Sequence, residues 1–85
     1  MLKDKIAEIG KILRMERVAL GLELHEVAKK ARLSWYYLKA IKEGRYHVIP
    51  RLFDVGYIRM YAEFLDADTK HLLARYKRER DRPPQ

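Results

Sequence analysis

The stretch "LHEVAKKARLSWYYLKAIKEG", residues 24 to 44, holds two short helices and the tight connection between them. In "LHEVAKKA" the side chains of Val27, Ala28 and Ala31 recur at helical spacing and face inward. After Arg32 and Leu33, Ser34 suits the N-cap of the next helix, because its hydroxyl can accept an N–H that the first turn leaves unpaired. Leu38 and Ile41 give that helix its inner side, and Gly44 stops it.

Working outward, Ile6, Ile9, Leu13 and Leu20 predict a first helix over about residues 4–19, with Gly21 near its end. "RYHVI" (45–49) reads as an irregular connection. Pro50 suits the first turn of a fourth helix, where its missing N–H costs nothing, and "RLFDVGYIRMYAEFL" continues it over about residues 50–65. Asp66 is the expected cap of a fifth helix, "ADTKHLLARYKRERD" (about 67–81), whose apolar side is Leu72, Leu73 and Tyr76. "RPPQ" (82–85) breaks any helix and starts a linker. The predicted architecture is all-α: one five-helix bundle over residues 1–81, with a helix-turn-helix at about 23–43 and two additional helices behind it.

At 85 residues the chain is one small domain, burying only ~60% of the surface its unfolded form exposes. It has no cysteine, so disulfides and thiolate metal sites are excluded. Its apolar runs fall far below the ~20 residues that cross a bilayer, and Lys3, Asp4, Lys5 and Glu8 interrupt any signal-like segment. The net charge is +7, and from Lys70 to Arg82 six basic side chains (Lys70, Arg75, Lys77, Arg78, Arg80, Arg82) face two acidic ones (Glu79, Asp81). That balance admits nucleic acid, an anionic membrane surface or an acidic protein face, or simply a solvated terminal helix.

Residues 13–44 resemble the helix-turn-helix core of the Cro/repressor class, through Leu13-Arg14, Gly21-Leu22, Val27-Ala28, Leu33-Ser34, Leu38, Ile41 and Gly44. These are mostly packing positions, so they speak for fold; function rests on what is exposed. In that class the second helix commonly opens with a DNA-contacting Gln, and here the position is Leu24. The third helix opens with Trp35 and Tyr36, and it lacks the Arg, Asn or Gln that bidentate base readout needs. Lys39 and Lys42 can touch phosphates, which positions a protein without specifying sequence. For the rings, core packing ranks first, with Tyr37 and part of Trp35 turned against helix 4 or helix 1. Protein contact ranks second and nucleic acid third.

Helix 4 is richer. At ~100° per residue, Met60, Phe64 and Tyr57 lie within about 40° of Phe53, while Leu65, Ile58, Ala62 and Val55 centre on about 160°. A surface helix needs one apolar stripe roughly 100° wide. Two stripes leave one to be covered, either by helix 5 folding back or by a partner that takes Phe53 and Tyr57 as anchors. Met60 and Phe64 would surround those anchors, and Arg51 and Arg59 would supply rim charges.

The pattern Phe53-x-x-Gly56-Tyr57-Ile58-Arg59-x-Tyr61-Ala62-x-x-Leu65-Asp66, directly behind a degenerate repressor-like motif, resembles the cytoplasmic domain of the RodZ family of bacterial cell-shape proteins. The resemblance covers roughly Ile9 to Tyr76. It implies a domain that binds the actin-like filament protein MreB through helix 4 aromatics, which map onto Phe53 and Tyr57. It also implies a cytoplasmic location, with a basic stretch, an inner-membrane span and a periplasmic part following this piece. Asp54 and Val55 depart from the family's usual apolar-Arg pair before the glycine. On this reading the basic run from Lys70 lies toward an anionic inner leaflet. The alternative is a DNA-binding regulator using Trp35, Tyr36, Lys39 and Lys42; weak self-association through helix 4 is a third outcome. His25, His47 and His71 are scattered, Glu16, Glu23, Glu26, Glu43 and Glu63 are single carboxylates, and Ser34 reads as a cap. The sequence therefore predicts a non-enzyme with no metal and no cofactor.

Overall fold

In the computed structural model of the protein, helix α1 (Leu2–Ala19) enters the core through Ile9 and Leu13, both fully buried. The structure describes the backbone of residues 2–81 and the side chains of residues 8–81. The inward side chain expected of Ile6, Arg82 of the basic run, and the linker expected at 82–85 lie outside these. Leu20, expected inside, is exposed. The helix ends at Ala19, and the left-handed Gly21 (φ 71°) turns the chain, which takes Leu20 out of helical register. At the inward position of the last turn stands Arg17, whose Nη1 donates to the Leu22 carbonyl at 2.7 Å. A guanidinium there satisfies a carbonyl that a leucine would leave bare.

Helix α2 (Leu24–Ala31) and helix α3 (Trp35–Lys42) run as the sequence predicts. The Glu26 carboxylate reaches back to the Glu23 N–H (2.8 Å), one half of a capping box. Arg32 takes the left-handed conformation (φ 56°) that closes α2, and the Leu33 N–H donates to the Ala28 carbonyl at 2.9 Å. The Ser34 hydroxyl then accepts the Tyr37 N–H (3.3 Å) and starts α3. Val27, Leu38 and Ile41 are fully buried, and α1 packs on α3 so closely that Gly10 meets the Ile41 and Lys42 backbone.

A short 3₁₀ turn, Tyr46–Val48, follows in the connection read as irregular. Helix α4 (Asp54–Phe64) begins later than expected. Pro50 is not in its first turn: the Phe53 N–H donates to the Pro50 carbonyl (2.8 Å), closing a separate turn over 50–53. The helix starts where the Asp54 carboxylate accepts the Val55 N–H (2.6 Å). It ends at Phe64 with Leu65 as its C-cap, and Asp66 beyond is left-handed (φ 57°) in the place a glycine commonly fills. Asp66 therefore does not cap helix α5 (Thr69–Arg80). Asp68 does, accepting the His71 N–H at 3.4 Å. Helix α5 packs on α4 and α1, burying Leu72 and Tyr76 beside Ile58, Tyr61 and Leu65. Among the described residues the fold is thus an all-helical bundle of five α-helices.

Candidate functional site

The core takes the α4 arc that runs from Tyr61 through Asp54, Leu65 and Ile58 to Ala62, all buried. Helix α5 lies against this arc, on the side of Asp54, and leaves the Phe53 sector uncovered. Phe53 is 52% exposed and Met60 43%, while Tyr57 and Phe64 of the same sector are half-buried. Leu52, in the turn before the helix, is 86% exposed, the largest value among the bulky apolar side chains described. Helical periodicity could not have placed Leu52, because it lies outside the helix.

Tyr57 faces two ways. Its ring meets Tyr37 edge-on (centroids 5.1 Å apart, 89° between planes), and its hydroxyl accepts the Ser34 N–H at 3.4 Å. It thus joins α4 to the opening of α3 and is only partly exposed. Tyr36 stands 6.0 Å beyond Tyr37, so rings run without a break from α3 to α4. Tyr37 packs inward as expected. Trp35, expected to turn partly inward, is 47% exposed, and Tyr36 is exposed, so neither ring belongs to the core. The Lys39 ammonium sits over the Trp35 indole, 5.2 Å from its centroid, and Lys42 is exposed. Leu24 is buried, so the position that often reaches DNA contributes to the core instead.

The two expected rim charges are placed differently. Arg51 is exposed but bonded to Asp81 (2.8 Å). Arg59 is exposed, yet it stands about 120° around the helix from Phe53 and so flanks a different side.

Asp54 is the residue that sequence reasoning undervalued. It is only 3% exposed, and its carboxylate accepts from the Tyr76 hydroxyl (2.6 Å) and from Arg80 Nη1 (3.1 and 3.3 Å). Arg80 also donates to Asp81 through Nε (2.9 Å) and Nη2 (3.2 Å). Burial and then the Asp54 hydrogen bond push the Tyr76 hydroxyl far above the tyrosine range. The bonds it donates to Asp81 and Asp54 hold the Arg80 guanidinium charged, and the Arg80 bond in turn lowers Asp81. Asp54 fits the polar N-terminus of a helix, but its partners lie 22 and 26 residues away, beyond any local signal.

The same network narrows the basic run. Arg75 pairs with Glu8 and Arg80 with two aspartates, leaving Lys70, Lys77 and Arg78 as its exposed cations among the described residues. No described group of three or more His, Cys, Asp or Glu side chains could hold a metal ion. No described helix is long and apolar enough to cross a membrane.

Fold and site together define a helix-turn-helix protein, whose third helix presents rings and whose fourth helix leaves Phe53 and Met60 exposed. The helix-turn-helix domain family matches residues 12–72, and the chain belongs to that family. It is also similar to an uncharacterized protein of Haemophilus influenzae, at 34% identity over 64 residues, which is 73% of this chain but 21% of that protein's length. No solved structure matches the chain.

Proposed function

We propose that the domain is a non-catalytic adaptor that docks the actin-like filament protein MreB on the outer face of α4. The observation that carries this reading is the exposure of Phe53 and Met60 one face away from a complete core, although α5 has folded back against the same helix. Exposed aromatic and methionine side chains at helical spacing are the usual material of a helix-in-groove contact. The helix 4 pattern shared with the RodZ family supports the choice of partner. Lys70, Lys77 and Arg78 then face an anionic inner leaflet, where each contributes ~1 kcal/mol near the surface. The domain is the cytoplasmic part of a longer, membrane-anchored protein that supports rod shape, in keeping with a relative much longer than this chain.

Co-sedimentation with assembled MreB at physiological salt tests this, with folding checked by circular dichroism. Wild type in the pellet and folded Phe53→Ala in the supernatant is the expected result. If the two pellet alike, α4 is not the docking face. Family membership and the exposed Trp35, Tyr36 and Lys42 favour a second reading, a DNA-binding regulator. It requires sequence-selective duplex binding with a steep salt dependence.

A further inference from the structure

The two most outward apolar side chains of the turn before α4, Leu52 and Phe53, lie between two residues that are both tied to the C-terminal end of α5 or to its cap, Asp81. On one side Arg51 donates to Asp81 (2.8 Å). On the other Asp54 accepts from Tyr76 and Arg80. Arg80 joins the two bonds by donating to Asp81 as well. The turn itself has little else to hold it: Phe53 occupies the N-cap of α4 without a side-chain cap, and its N–H bond to Pro50 closes only the turn. A four-residue turn with two exposed apolar side chains is ordinarily mobile. Two charge-assisted bonds at its edges, one of them buried, remove much of that freedom before any partner arrives.

We infer that Tyr76, Arg80 and Asp81 are positioning residues for the α4 docking face: the end of α5 fixes the Leu52–Phe53 turn in its binding conformation. This rests on the reading of Phe53 as an anchor. None of the three needs to touch the partner; they act through Arg51 and Asp54. Because the clamp is built from the C-terminal turn of α5, whatever pulls or unwinds that turn changes how firmly the domain holds its partner.

Removing Arg80 strands a buried carboxylate and risks unfolding the domain, so the test uses milder variants. Tyr76→Phe deletes one hydroxyl, and Asp81→Asn weakens the Arg51 bond at an exposed site. Each is measured alone and in a Phe53→Ala background, by binding to assembled MreB and by amide hydrogen exchange of the free protein. The expected result is faster exchange at residues 51–57 with α1–α3 unchanged, and affinity lower by about fivefold. In the Phe53→Ala background the same variants should cost almost nothing further, because the effect passes through Phe53. Unchanged exchange in this segment overturns the clamp, and so does an affinity loss of equal size in both backgrounds. If wild type fails to bind MreB while the variants still speed exchange, the adaptor reading falls and takes the clamp's role in docking with it.

Discussion

Two glycines inside helices should respond in opposite directions to the same added methyl group. Gly10 of α1 faces α3: a Cβ there would press into the Ile41 carbonyl oxygen, lie 3.1 Å from the Ile41 carbonyl carbon and 3.3 Å from the Lys42 oxygen. All of these are backbone atoms, so no rotamer change relieves the clash, and α1 must move off α3. Gly56 of α4 meets nothing within 4 Å. Alanine there gains the helix propensity that glycine lacks, about 0.8–1 kcal/mol. Alanine at position 10 gains the same term but loses packing, for a net cost of about 2 kcal/mol. Urea denaturation should therefore separate the variants by about 3 kcal/mol, with wild type between them. In thermal melts of a domain this size, each kcal/mol is worth about 4–8 °C. Gly10→Ala at wild-type stability would refute the close approach of α1 and α3. Gly56→Ala below wild type would mean that the α4 surface at that point is closed.

Leu52→Ala should weaken MreB co-sedimentation with little change in stability, as the side chain packs on nothing that its truncation would uncover. Tyr57→Ala should lower stability by about 2 kcal/mol, through the ring contact with Tyr37 and the bond from Ser34, so its binding defect mixes two causes. Urea melts of Arg17→Met should show a loss of about 2 kcal/mol, because the Leu22 carbonyl loses its charged donor. Alkaline pH should destabilise the domain through Tyr46, Tyr61 and Tyr76, each raised above the ordinary tyrosine value chiefly by burial. Their stability contribution is complete below about pH 10, where the unfolded chain also stays protonated, and it falls by up to ~1.4 kcal/mol per ring and pH unit above that. Tyrosinate absorbance of these three rings should appear only together with unfolding; ionisation near pH 10 in the folded domain would contradict their burial.

Most of the fold was legible because it is written in local signals. Ser34, Gly21 and Gly44 mark helix ends by backbone chemistry that needs no knowledge of the rest of the chain. The errors came where two local signals compete. Pro50 can open a helix or a turn, and the bond from Phe53 to Pro50 selects the turn. Asp66 and Asp68 can each cap α5, and the left-handed backbone at Asp66 assigns the task to Asp68. The two sectors of α4 were visible from spacing, but which of them α5 would cover was not. That depended on Asp54 finding Tyr76 and Arg80, a choice made by tertiary packing. The pairing of Arg51 with Asp81 was hidden for the same reason.

The ion pair between Glu8 and Arg75 joins residues 67 positions apart and lies where α1 packs on α5. A chain closed in this way has an order of assembly imposed by its synthesis. While the ribosome is still making α5, Ile58, Tyr61 and Leu65 lack the Leu72 and Tyr76 side chains that complete their burial, and the Leu52–Phe53 turn has none of its ties. Domains emerging from the ribosome settle as whole units. For this one, the Leu52–Phe53 turn gains its ties only when the final helical turn of α5 is released, so that a nascent chain stopped short of Arg80 would display Phe53 without them.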